Sequence, residues 1–233
     1  MVKPSPSTAL IVGASRGLGL AMAAEYLKRG WHVVATVRGK AKTGLHALAA
    51  KSDGRLDIET VDIAEAKQIA ALRKRLDGRS FNLLFVNAGV ANGAADTVRG
   101  ISTEEFNRIM VTNALGPMRV IDVFEDLVPK TGTIGVMSSG LGSVANNESG
   151  GWEVYRGSKA ALNTLMRSFA ARDGKNRRTL LIMTPGWVRT DMGGPGATLG
   201  IEDSIPNLVN VIEAQSGKPG LRYLDYRGNT VPW

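Results

Sequence analysis

The chain has 233 residues, 29 Lys and Arg against 21 Asp and Glu for a formal net charge of +8, and no Cys. That length suits a single α/β domain, residues 1–233, with a substantial core; the missing cysteines exclude disulfides, thiolate nucleophiles and Cys-ligated metals and fit a reducing cytoplasm. The basic residues are spread along the chain without an aromatic-interleaved run, so an anionic small molecule answers the charge as well as a nucleic acid would, and no window reaches the roughly 18 apolar residues of a membrane span.

Met1 to Thr8 carries two prolines, and the apolar run behind it ends at Gly13 without a small-residue cleavage site, so no targeting segment is expected. Ala9 to Val12 reads as a strand, Gly13-Ala14-Ser15-Arg16-Gly17-Leu18-Gly19 as a glycine turn, and the amphipathic stretch to Arg29 as a helix. In such a turn Gly13 permits reversal, Gly17 lets a phosphate approach the backbone, and Gly19 lets helix and strand pack closely. The helix N-terminus then offers N–H groups and partial positive charge to an anion.

His32 to Val37 is the next strand. Where a dinucleotide site usually keeps a ribose-binding acid, the chain reads Val37-Arg38. Arg38, with Arg16, has the fork that holds a 2′-phosphate; the alternative is two exposed loop arginines. Leu56 to Val61 alternates as a strand ending at Asp62-Ile63, Ala64 to Leu76 is helical, and Phe81 to Val86 is a buried-type strand ending at Asn87-Ala88-Gly89. Strands alternating with helices predict a doubly wound parallel sheet with helices on both faces. The basic clusters Arg73-Lys74-Arg75 and Lys175-Asn176-Arg177-Arg178 read as solvated helix ends and loops.

Ser102-Thr103-Glu104-Glu105 caps a helix with Phe106, Ile109 and Met110, and Asn113 lies on or near it. Gly132 to Met137 runs as a strand into Ser138-Ser139, and a polar loop follows from Gly140 to Gly151. In the next helix Tyr155 and Lys159 share a face, a spacing that predicts an ammonium lowering the phenol's pKa from about 10. The bland alternative is a surface Tyr and Lys at helical spacing. Thr179 to Met183 is another strand, Asp191 to Gly200 a glycine-rich, mobile segment, Ile205, Leu208, Val209 and Ile212 mark a last helix, and Leu221 to Leu224 an edge strand.

Gly13/Gly17/Gly19, Asp62, Asn87-Ala88-Gly89, Asn113, Ser139, Tyr155/Lys159, Pro185-Gly186 and Thr190 occur in the order of the short-chain dehydrogenase/reductase family, from about Thr8 to Tyr226. The chain resembles that family, and most of all its C-factor and sniffer-type carbonyl reductase branch. The resemblance implies a Rossmann fold and an NADP(H)-preferring enzyme that interconverts a carbonyl and an alcohol, with Tyr155 as general acid/base. Lys159 would hold the nicotinamide ribose and depress the phenol's pKa; Ser139, with Ser138 as the alternative, would steady the carbonyl oxygen. Asn113 would sit in a helix distortion that binds a relaying water, unless it is an ordinary helix Asn.

The resemblance further implies cofactor contacts from Gly13, Ser15, Arg16, Gly17, Leu18, Gly19, Arg38, Asp62, Ile63, Asn87, Ala88, Gly89, Pro185, Gly186, Val188 and Thr190, besides Tyr155 and Lys159. Leu141, Val144, Trp152, Trp187 and Met192 are candidates to shape the substrate pocket around Ser139, or to be core or subunit contacts. Relatives pair into homodimers or homotetramers; no metal, membrane or nucleic-acid partner is implied. Val12 and Val86 replace a Thr and an Asn usual in the family, and a short segment after Thr190 implies an open site with a broad carbonyl range. An NADP(H)-sensing protein acting through partner binding is the alternative function.

Overall fold

The alternation of apolar runs and amphipathic stretches resolves, in the computed structural model, into strands β1 (Thr8–Val12), β2 (His32–Val37), β3 (Leu56–Thr60), β4 (Leu83–Val86), β5 (Thr133–Met137), β6 (Thr179–Thr184) and β7 (Gly220–Asp225). The helices are α1 (Gly17–Lys28), α2 (Gly44–Ala49), α3 (Ala66–Arg75), α4 (Thr103–Met110), α5 (Gly116–Phe124), α6 (Glu153–Arg172) and α7 (Ile201–Gln215). The structure describes residues 6–93, 97–172 and 177–233; Met1 to Ser5 and the Lys175-Asn176 half of the second basic cluster lie outside them.

The strands form one sheet in the order β3-β2-β1-β4-β5-β6-β7, every neighbouring pair parallel. Side chains alternate across it. Leu10, Val12, Leu84 and Val86 face α3, α5 and α6 through Ile69, Leu72, Ile121, Phe124, Leu162 and Met166. Ala9, Ile11, Leu83 and Phe85 face α1, α2 and α7 through Met22, Tyr26, Leu45, Ile205 and Leu208. A large aliphatic or Phe side chain buried this fully is worth about 1.5–3 kcal/mol, so two apolar faces explain the uninterrupted apolar strands. The chain leaves β1 toward β2 on one side and resumes at β4 on the other, which opens a crevice at the carboxyl ends of those two strands.

Local departures from the sequence expectation have local causes. The short α2 was not expected; it rests on a capping box in which the Thr43 N–H donates to His46 Nδ1 at 3.1 Å. Phe81 and Asn82 precede β4, because the Phe81 N–H bonds the Leu127 carbonyl at 2.8 Å instead of a neighbouring strand. At Asn113 the helix distortion implied by the resemblance, rather than an ordinary helical turn, is present as a π-helical turn, Val111–Leu115, between α4 and α5. The segment Asp191 to Gly200, expected to be mobile, is tied back by Arg189 N–H to Leu199 O at 2.9 Å and Leu199 N–H to Trp187 O at 3.0 Å. Among the described residues no helix is long and apolar enough to cross a membrane.

Candidate active site

The crevice is lined first by the turn between β1 and α1. Gly13 has φ +90, and a Cβ there would meet Ala88 at 2.7 Å; at Gly19 it would meet the Gly13 carbonyl oxygen at 2.1 Å. The Asn87 side chain donates to that same carbonyl at 2.7 Å, so the first and fourth strands are stitched together at their ends. Gly17 has φ +56 and faces the Thr190 methyl. Arg16, at the N-cap of α1, makes no side-chain capping bond, and no acidic residue occupies the first turn. The partial positive charge of the helix start thus faces the crevice uncompensated.

Arg38 is exposed just beyond β2, and Ser15 and Leu18 are partly buried. Arg16 forms an exposed ion pair with Asp191 at 3.2 Å. Asp62 turns its carboxylate onto the Ala64 N–H at 2.9 Å, while Ile63 packs into the core against Gly116. On the other rim, Pro185 accepts the Ser204 hydroxyl at 2.6 Å, Gly186 has φ +79, Val188 is buried, and Thr190 Oγ1 accepts the Gly193 N–H at 3.0 Å.

The catalytic candidates come from β5, the π-helical turn and α6. The Ser139 hydroxyl lies close enough to Tyr155 to draw the phenol's pKa down. Ser139 Oγ also accepts the Leu141 N–H at 3.1 Å, whereas Ser138 Oγ is buried and donates to Asn163 Oδ1 at 2.7 Å. Of the two serines, it is therefore Ser139 whose hydroxyl meets the phenol. Lys159 Nζ donates to the Met137 carbonyl at 2.9 Å and lies 5.9 Å from the centre of the Tyr155 ring.

Contrary to expectation, Lys159 does not lower the phenol's pKa. Burial pushes Tyr155 above its ordinary value, and the neighbouring Ser139 side chain pulls it down. Burial also pushes Lys159 down, to about 8. The ammonium is spent on a backbone carbonyl, and both groups lie in low dielectric where the charged form is disfavoured.

Asn113 is fully buried and grips Val90 at both ends, accepting its N–H and donating to its carbonyl, each at 2.8 Å; it also donates to Ser158 Oγ at 3.0 Å. A Cβ on Gly89 would come within 3.3 Å of both Asn113 Oδ1 and Lys159 Nζ, so these three residues converge. The π-helical turn aims Asn113 at this point.

Entry into α6 is set by Gly150, Gly151 and Trp152, all left-handed, with φ 63, 68 and 53. For Trp152 this is an unusual conformation, and it places the indole edge-on to Tyr155, centroids 5.9 Å apart. The buried guanidinium of Arg156 holds the segment by bonding the Gly151 carbonyl at 2.9 Å and the Gly150 carbonyl at 3.1 Å. Sequence reasoning missed Arg156; its place beside Tyr155 was the available signal. Leu141 is half-buried, Val144 is 72% exposed, and Trp187 and Met192 are 57% and 48% exposed after β6. Trp187 Nε1 donates to the Gly193 carbonyl at 2.8 Å. Among the described residues no three His, Cys, Asp or Glu side chains gather as a metal site would need.

Comparison with known proteins adds four findings. The model of the family described as short chain dehydrogenase matches residues 7–197. The C-signal protein of Myxococcus xanthus is 36% identical over 154 residues, 65% of this chain and 92% of that protein. A structure described as a short-chain dehydrogenase/reductase from Burkholderia multivorans with bound NADP is 56% identical at TM-score 0.96, covering 98% of this chain and 100% of that one. A carbonyl reductase from Pseudomonas aeruginosa in complex with NADP is 37% identical at TM-score 0.91, with 98% and 100% covered.

Proposed function

The chain belongs to the short-chain dehydrogenase/reductase family, and on that premise we propose that it is an NADP(H)-dependent carbonyl reductase, interconverting a carbonyl compound and its secondary alcohol. The observation that carries this reading is the meeting of the Tyr155 and Ser139 side chains beside Lys159, at the same end of the sheet as the glycine turn. The residues present fit the dinucleotide: a cradle that any Cβ at Gly13 or Gly19 would fill, an uncapped start to α1, and Arg16 and Arg38 in place of an acid after β2. NADP in two similar structures supports the same choice.

We assign the cofactor to Gly13, Ser15, Arg16, Gly17, Leu18, Gly19, Arg38, Asp62, Ile63, Asn87, Ala88 and Gly89 on one side, and to Tyr155, Lys159, Pro185, Gly186, Val188 and Thr190 on the other. When bound, NADPH supplies the hydride that reduces the carbonyl carbon. Ser139 and Tyr155 hold the substrate oxygen between their hydroxyls. As negative charge grows there, Ser139 steadies it, a contribution of roughly 3 kcal/mol for comparable donors, and Tyr155 releases its proton to complete the alcohol. Burial keeps the phenol protonated at neutral pH, the form reduction requires. Lys159 presents its ammonium to the ribose hydroxyls, and Asn113 holds the relay through which the proton is replaced. Leu141, Val144, Trp152, Trp187 and Met192 flank the oxygen; the exposure of three of them suits a broad carbonyl range.

A dinucleotide sensor acting through a partner, the reading suggested by the likeness to C-signal, has no need of a buried phenol beside Ser139, and the same experiment separates the two. NADPH oxidation is followed with aldehydes, diketones and quinones for the parent and Tyr155→Phe. The variant is expected to lose about 10²–10⁴-fold in rate. Equal rates, or tight NADPH binding with no turnover, overturn the proposal. In the same assay NADPH is preferred over NADH, and Arg38→Ala narrows that preference.

A further inference from the structure

Tyr155, Lys159 and Asn163 recur every fourth residue along α6 and so share one face. Each holds a different point of the chain as it leaves β5. Lys159 takes the Met137 carbonyl and Tyr155 meets the Ser139 side chain. Asn163 accepts the Ser138 hydroxyl at 2.7 Å and donates to the Gly142 carbonyl at 3.1 Å.

From the other side, Tyr223 on β7 donates its hydroxyl to the Ser139 carbonyl at 2.6 Å, and that oxygen also accepts the Gly142 N–H at 2.9 Å. The Tyr223 ring is packed in turn by Trp233 at 5.6 Å, whose backbone oxygen accepts the Ala145 N–H at 2.9 Å. Asn163, Ser138 and Tyr223 are each 3% exposed or less.

The strand ladder ends at Met137, and Ser139 lies outside any strand or α-helix. The place of its Oγ therefore depends on how the backbone around it is held, and reacting groups misplaced by about 1 Å lose on the order of a hundredfold in rate. We propose that Asn163 and Tyr223 are positioning residues that fix the backbone on either side of Ser139, so that its hydroxyl meets Tyr155. The proposal rests on the carbonyl reductase reading of those two groups. The indole of Trp233 supports Tyr223 in that task.

Tyr223→Phe is the sharpest test, because it removes only the hydroxyl and keeps the ring against Trp233. Its kcat for carbonyl reduction is expected to fall about tenfold with the KM for NADPH unchanged. The high-pH limb of kcat is expected to move upward, since a displaced Ser139 no longer draws the phenol's pKa down. Hydrogen–deuterium exchange at the Leu141 and Gly142 amides should quicken while the rest of the sheet keeps its protection. Asn163→Ala, which strands the Ser138 hydroxyl and the Gly142 carbonyl, should act the same way. Unchanged kcat and pH limb in both variants, or exchange quickened uniformly through the protein, overturn the proposal. If the parent reduces no carbonyl at all, the functional reading fails, and exchange decides alone: faster at those two amides sustains the positioning role, equal ends it.

Discussion

Lys159 is almost fully buried, and burial lowers its ammonium from 10.5 to about 8. The sign of its effect on stability follows. Below about 8 it is charged in both folded and unfolded chains, and the folded protein bears a desolvation cost of order 3 kcal/mol; as pH rises toward 10.5 that cost disappears. Lys159→Met is therefore expected to abolish turnover while raising stability at pH 7 by about 1–2 kcal/mol, part of the gain being offset by the lost bond to Met137. Urea denaturation at pH 7 and pH 10 checks it: the gap between variant and parent should narrow at the higher pH. Helical spacing alone put Tyr155 and Lys159 on one face; the grouping of Ser139 with them came from the family resemblance, not from spacing. The direction of the phenol's shift was not legible in the sequence, because burial depends on the whole fold around it.

At the scale of elements, two glycines near the site make opposite demands. A Cβ on Gly19 would strike the Gly13 carbonyl and Asn87, whereas on Gly157, exposed on α6, it would meet nothing within 4 Å. Gly19→Ala should cost about 1–3 kcal/mol and sharply weaken NADPH binding, while Gly157→Ala should gain about 0.5–1 kcal/mol with activity unchanged. Thermal melts and NADPH fluorescence titration distinguish the pair. The turn around Gly13 and Gly19 could be read from sequence since strand, glycines and helix follow one another directly. The π-helical turn at Asn113 left no mark in composition or periodicity; it is a change of hydrogen-bond register that tertiary packing selects. Asn163 was missed, although its place four residues after Lys159 on the same helix face was a signal for it. The partnership of Tyr223 with Ser139, bridging distant parts of the chain, was not readable from sequence.

For the molecule as a whole, strand alternation and apolar runs were enough to reach the doubly wound sheet, since parallel strands buried on both faces leave few other arrangements. The net charge was a weaker guide. Arg73 and Arg75 of the first basic cluster, and Arg79 beyond it, are paired with Asp77, Asp126, Glu59 and Asp57, so the two arginines of the cluster meet counter-charges within the protein. Phe106, Leu115 and Leu165 remain exposed on the segments carrying Asn113 and Tyr155. If copies of the chain pair through these apolar side chains, Leu165→Lys should shift the protein to a smaller species in size-exclusion chromatography with light scattering; an unchanged mass would place the contact elsewhere. The Arg16–Asp191 pair joins the two banks of the crevice directly, at 3.2 Å, with both side chains exposed. A link so fully hydrated is worth at most about 1 kcal/mol, little above thermal energy, so it acts as a loose clasp. Separating the two banks at this point therefore costs the protein little, and the contact by itself holds no ligand in.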